Sequence, residues 1–294
     1  MVPKGKLVII GGAVDIGSAL EGDRMSAELH LRFFEKGILR RLIDESPKGN
    51  DSRVEIVTTA SLIPHEVAKQ YIQAFTYLGV SDVDHLDVTK RGEANSEWVV
   101  ERARKADIII FTGGDQLRIS SIIGGSEFHE VLLDRYLNED FLFAGTSAGA
   151  AAASNNMIYE GSSSEALLKG KVKITTGLGL IDDVIIDTHF VHRGRIGRLI
   201  QAVASNPRTL GIGLGEDTGL LIINGNEMEA IGSGLVILVD GRKIKDTNIT
   251  DVKTGEPVSV ENVIVHVMAK FDHYDLHTKQ MVIHRDPNPV IEEE

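Results

Sequence analysis

The sequence predicts an α/β protein of three layers, with helices on both faces of a mostly parallel central sheet. Two observations carry this. Apolar runs alternate with amphipathic stretches over the first two thirds of the chain, the rhythm of repeated βαβ units. Glycine-bearing loops close several of the apolar runs, at the strand ends where such a sheet binds its ligands.

Leu7-Val8-Ile9-Ile10 reads as a buried strand ended by Gly11-Gly12. Ser26 to Ile43 shows helical spacing at Leu29, Phe33, Phe34 and Leu39. Val54 to Val57 is a second strand, followed by a helix from about Pro64, a residue suited to a first turn, to Leu78. Val83 to Leu86 is a strand, Glu97 to Lys105 a helix, and Asp107 to Phe111 a strand closed by Thr112-Gly113-Gly114-Asp115. Phe128 to Leu137 is a helix, and Phe141 to Ala144 a strand running into a turn at Ser147. After Leu210 the pattern changes to short strands at Leu220–Ile223, Met228–Ile231 and Leu235–Val239, expected as antiparallel hairpins that extend the sheet. Asn224-Gly225 and Asp240-Gly241 are their turn signals. The tail Pro287–Glu294 is polar and expected to fray. With no linker and no repeat, the expectation is one domain with a β-rich C-terminal extension.

The 294 residues are 42% hydrophobic and 25% charged, the composition of an ordinary globular protein. The formal net charge is -12 and no Lys/Arg-rich run occurs, which argues against nucleic acid as a partner. There is no cysteine, so disulfides, thiolate metal sites and cysteine nucleophiles are excluded. No apolar run approaches the roughly 20 residues that span a bilayer. Met1 to Lys6 has no signal-peptide character, so the expected location is cytoplasmic, with no membrane partner.

Gly145-Thr146-Ser147-Ala148-Gly149 fits G-x-S-x-G between an apolar strand and the small-residue helix start Ala150–Ala153. That is the setting of a nucleophile elbow, in which small neighbours let the chain turn sharply with serine at the apex. The helix N-terminus that follows aims backbone N–H groups, that of Ala148 among them, at a developing oxyanion. A base is needed. His189, in Asp187-Thr188-His189-Phe190 after the apolar run Val184–Ile186, is the best candidate, with His192 its competitor. Two acids compete to orient it. Asp187 lies two residues before His189, on the same side of an extended segment, a poor approach to Nδ1. Glu216 comes off a different strand end, after Leu210-Gly211-Ile212. Asp187, His189 and His192 also raise a metal reading, but no further ligand cluster accompanies them. The expectation is no metal and no cofactor.

Taken together, Gly11-Gly12-Ala13, Phe111-Thr112-Gly113-Gly114-Asp115-Gln116, Gly145 to Ala151, Asp187 to Phe190 with Arg193, Arg195, Gly197 and Arg198, and Gly211-Ile212-Gly213 with Glu216-Asp217-Thr218 resemble cyanophycinase. These segments cover most of the chain in the family's order. The resemblance implies a class I glutamine amidotransferase-like (flavodoxin-like) fold, kinship with aspartyl dipeptidase (peptidase E), and a homodimer. It implies cleavage of cyanophycin, a polyaspartate carrying arginine on each β-carboxyl, to β-aspartyl-arginine dipeptides. Carried over by position, Ser147 is the nucleophile, His189 the base and Glu216 the acid. Gln116, Arg193, Arg195 and Arg198 fall at substrate-site positions, with Asp187 substrate-binding or behind the triad. Gly113 and Gly114 fall where their N–H groups would contribute to an oxyanion hole. Glu165, in the loosely matching stretch Glu160–Gly170, is expected to serve the substrate's guanidinium group. The rival readings are an aspartyl dipeptidase acting on small peptides and a non-catalytic peptide-binding homologue.

Overall fold

The computed structural model describes residues 2–17, 33–35 and 37–285. The helix expected over Ser26–Ile43 lies partly outside those residues, and the tail wholly so. Within the described part, Ile38–Glu45 forms a helix (α1).

Five segments form parallel strands: Lys6–Ile10 (β1), Val54–Val57 (β2), Val83–His85 (β3), Ile108–Phe111 (β4) and Leu142–Thr146 (β5). They lie in the order β3-β2-β4-β5-β1. Helices Pro64–Tyr77 (α2), Glu97–Lys105 (α3), Gln116–Ile122 (α4) and Glu127–Asn138 (α5) connect them. The start signals are local. Pro64 stands in the first turn of α2, and the side chains of Ser96, Asp115 and Ser126 cap α3, α4 and α5.

The apolar runs of β1, β4 and β5 are continuous because both faces of the sheet are covered. Val8 and Ile10 pack on one side with Leu39, Leu42, Tyr71 and Phe75 of α1 and α2. Leu7 and Ile9 pack on the other with Val99, Phe128 and Leu132 of α3 and α5. This is the strand period of two turned into two cores.

Ala148–Ala153 (α6) is short and wholly buried, and leads into a second sheet. Its strands are Ser154–Glu160 (β6), Lys173–Thr176 (β7), Ile181–Asp187 (β8) and Leu210–Leu214 (β9). Helix Ile196–Ser205 (α7) lies between β8 and β9 in the chain, and its Leu199 and Val203 pack on Ile158 and Ile185 of this sheet.

Thr218–Ile223 (β10) and Glu227–Gly232 (β11) return to the first sheet as an antiparallel hairpin beside β1, as the turn at Asn224-Gly225 implied. Val236–Asp240 (β12) departs from the expectation, because it pairs antiparallel with β9 in the second sheet. The redirection occurs at Gly232, where φ is 92°. There Ser233 N–H donates to Asp217 O and Gly234 N–H to Thr218 Oγ1, turning the chain back over the start of β10. Asp246–Thr247 (β13) and Val260–Glu261 (β14) form a small ladder. Ile264–Met268 (β15) edges the second sheet, and His273–Asp275 (β16) and Gln280–Val282 (β17) edge the first. Among the described residues, no helix is long and apolar enough to cross a membrane.

Candidate active site

At the end of β5 the chain turns into α6 with Ser147 at φ 52° and ψ −107°, outside the regions favoured by non-glycine residues. A strained residue persists only where its surroundings fix it. Ser147 N–H donates to Ile10 O at 2.9 Å. A Cβ on Gly149 would lie 2.3 Å from Phe111 O, so the helix start can approach β4 only with glycine there. The buried Tyr71 hydroxyl bonds Thr146, and burial pushes its pKa up to about 12.

His189 follows β8 and is also held at positive φ, 50°. Its Nε2 stands 3.0 Å from Ser147 Oγ, and its Nδ1 3.0 Å from Glu216 Oε1 at the end of β9. A carboxylate at Nδ1 fixes the proton there and leaves Nε2 as an acceptor facing the serine hydroxyl. The hydrogen bond from His189 holds the Glu216 carboxyl below its ordinary value. Of the two candidate acids it is therefore Glu216 that meets the imidazole.

Asp187 is turned elsewhere. It is 2% exposed, with Oδ1 3.2 Å from Arg195 Nη1, Oδ2 3.0 Å from Arg198 Nε, and Thr188 N–H donating to Oδ1. Burial pushes its pKa up against the opposing pull of Arg198 and then Arg195. His192 is exposed, and Ser147 meets His189 instead.

The loop after β1 holds the arrangement together. Gly11 O accepts from His189 N–H and Gly12 O from Asp217 N–H, each at 2.9 Å. Gly12 has φ 108°, and a Cβ there would lie 2.4 Å from His189 Cε1. The Gly-Gly pair was visible in the sequence. Its partners were not, because they lie more than 170 positions away along the chain.

Ser147 opens on a cavity of about 240 Å³ whose wall includes Gly114, Gln116, Glu160, Arg193 and Arg195. A larger hollow of about 460 Å³, beside Leu133, Leu180 and His277, brings no nucleophile to a base. Gly113 adjoins the serine: a Cβ there would lie 3.3 Å from Ser147 Cβ. Gly114, at φ 142°, is pressed against Ala60 O, and Ala148 lines the cavity at the start of α6. Arg193 is exposed on the cavity rim. Gln116 lines the wall, but its Nε2 donates to Ile158 O and Tyr159 O. Glu165 is exposed, pairs with Lys171 at 3.3 Å, and is not part of the cavity wall. Sequence reasoning missed Glu160, which does line the cavity, because its stretch matched the family only loosely.

Both nitrogens of His189 are engaged and Asp187 is taken by two arginines, so the metal reading of Asp187, His189 and His192 has no donor set. Elsewhere, His65, His85 and Asp87 bring one donor atom each to within 4.8 Å of one another. His85 Nε2 already meets Thr58 Oγ1 at 2.7 Å.

A strained serine, a histidine at its hydroxyl and a carboxylate behind that histidine define a serine-type hydrolase on an α/β scaffold. The model of Peptidase family S51 matches residues 26–231, and the chain belongs to that family of serine-type peptidases. It is 35% identical to a cyanophycinase of Nostoc sp. over 79% of this chain and 78% of that protein. It is likewise 35% identical to a cyanophycinase of Thermosynechococcus vestitus, over 79% of this chain and 72% of the relative. Among solved structures, a peptidase from an acI-B1 Actinobacterium superposes with a TM-score of 0.59 at 20% identity, covering 89% of this chain and 97% of its own. A putative peptidase E from Listeria monocytogenes gives 0.50 at 17% identity, covering 78% and 99%. At these identities the two structures speak to the fold alone.

Proposed function

We propose that this protein is a cytoplasmic, homodimeric, single-domain cyanophycinase that hydrolyses the polyaspartate backbone of cyanophycin to β-aspartyl-arginine dipeptides. Ser147 attacks the backbone carbonyl of an aspartyl residue. His189 takes the hydroxyl proton through Nε2 and gives it to the leaving amine, which departs as the acyl-enzyme forms. Water, activated by the same imidazole, then releases the acid product and frees Ser147. Glu216 holds the Nδ1–H tautomer and stabilises the imidazolium. The N–H groups of Gly113, Gly114 and Ala148 are the donors for the oxyanion. The exposed Arg193 and the Arg195–Arg198 pair set the cation field that draws the substrate's carboxylates.

The observation that carries this reading is the unbroken chain from Glu216 Oε1 through His189 to Ser147 Oγ, 3.0 Å at each step. The likeness to cyanophycinases supports the choice of substrate. Incubation with purified cyanophycin should release β-aspartyl-arginine dipeptide, and the Ser147→Ala variant should release almost none. Intact polymer after prolonged incubation, with aspartyl dipeptides cleaved instead, would replace this reading with that of a small-peptide dipeptidase.

A further inference from the structure

The acids on the cavity wall differ in what they have left to offer. Asp187 is buried and ion-paired with both Arg195 and Arg198, so a third cation would have to enter a desolvated ion pair. Glu160 is open, with its side chain 60% exposed and Lys173 Nζ 2.9 Å away on a side chain that is 47% exposed. Exposed ion pairs of this kind contribute little and exchange readily.

The backbone around Glu160 is held on both flanks. Gln116 Nε2 donates to Ile158 O at 3.0 Å and Tyr159 O at 3.3 Å on the near side. Arg198 Nη1 donates to Gly161 O at 3.0 Å on the far side. Between them the pairing of β6 with β7 shifts register from Ile158 to Glu160, an irregularity of the kind that re-aims a side chain at a sheet end. Two residues that the sequence placed among the substrate contacts therefore spend hydrogen bonds on fixing the strand end that places Glu160 on the cavity wall.

We infer that Glu160 is the specificity residue that receives the guanidinium group of the substrate's arginine, with Gln116 and Arg198 as its positioning residues. This rests on the cyanophycin reading above. A guanidinium offers two parallel N–H donors to a carboxylate, whereas the ammonium of Lys173 is a point charge, so the arginine side group displaces Lys173 from Glu160. The same geometry favours arginine over lysine in the substrate. Glu165, paired with Lys171 outside the cavity, has no part in it.

The test compares short synthetic β-Asp-Arg oligomers with oligomers carrying citrulline, the neutral near-isostere, in place of arginine. For Glu160→Gln, KM on the arginine oligomer should rise about tenfold with kcat little changed, the effect of losing one charge-assisted pair at an open site. KM on the citrulline oligomer should not move, and Glu165→Gln should leave both at wild-type values. An equal loss on both oligomers would assign Glu160 a structural role and overturn the inference. So would no loss on either, with wild-type cleavage intact. A wild-type enzyme that cleaves neither oligomer nor polymer would overturn the cyanophycin reading itself, and this inference with it.

Discussion

Glu216 Oε1 lies 3.0 Å from His189 Nδ1, on the ring edge opposite Ser147, although 27 residues separate the two in the chain. The carboxylate therefore sets the tautomer without touching the serine. Glu216→Gln should lower kcat on cyanophycin by about 10²–10⁴-fold at saturating substrate, because an amide can present its N–H to Nδ1 and stabilise the wrong tautomer. KM should change far less. Steady-state kinetics on the purified variant decide the matter, and a kcat within threefold of wild type would remove Glu216 from the triad.

Asp187 should behave differently, because its partners are cations and not the imidazole. Asp187→Asn leaves Arg198 and Arg195, with side chains only 5% and 17% exposed, without their counter-charge. Breaking a buried pair on one side costs about 3 kcal/mol, or roughly 6–12 °C of Tm in a chain of this size. Calorimetry on Asp187→Asn and Glu216→Gln should find the large Tm loss in the first variant only. The reverse order would mean that the buried carboxylate is not what neutralises the two arginines.

The pH dependence follows from the Glu216 carboxyl being held below its ordinary value of 4.5 by the hydrogen bond from His189. A carboxyl whose folded pKa is depressed adds stability that is fully present above the unfolded value and is lost as pH falls through the folded one. The stability difference between wild type and Glu216→Gln should be constant from neutral pH down to about 5 and fade below 4.5. Carboxyl NMR of labelled protein should show Glu216 titrating below 4.5 in the wild type and higher in His189→Ala. An unchanged titration in His189→Ala would show that the imidazole is not the cause.

Much of this was legible in the residues. Continuous apolar runs marked β1, β4 and β5, since a strand buried on both faces has little room for polar side chains; β2 carries one, Glu55, buried against Arg53 and Arg102. The G-x-S-x-G turn located Ser147, because only small residues fit where α6 meets β4. What could not be read was set by pairing at a distance. Nothing local in Leu235–Val239 says that β12 joins β9 rather than continuing the hairpin. The choice is made by Ser233 and Gly234 bonding back to Asp217 and Thr218. Glu165 and Glu160 are similar acids five positions apart. Only the strand end held by Gln116 and Arg198 distinguishes the one that lines the cavity.

Gly12 lies far from Ser147 and His189 in sequence but against the imidazole in space. Its φ of 108° is one that L side chains rarely adopt. On the backbone as it stands, a Cβ would also lie 2.4 Å from His189 Cε1 and 2.5 Å from Nε2. The ring cannot retreat while Glu216 holds Nδ1, and Gly11 O holds its backbone N–H. In Gly12→Ala the ring must therefore tilt off the Ser147 hydroxyl or lose Glu216. A displacement on the order of 1 Å at a reacting pair costs about 100-fold in rate. The variant should keep its far-ultraviolet dichroism and its family of folded contacts, lose about two orders of magnitude in kcat, and show Ser147 poorly reactive toward a fluorophosphonate probe. Gly49→Ala is the control: it too has positive φ, 56°, but a Cβ there meets nothing within 4 Å. If both variants lost activity and stability alike, backbone strain alone would explain Gly12. If Gly12→Ala alone lost reactivity while folded, the glycine would be required by the space the catalytic imidazole occupies.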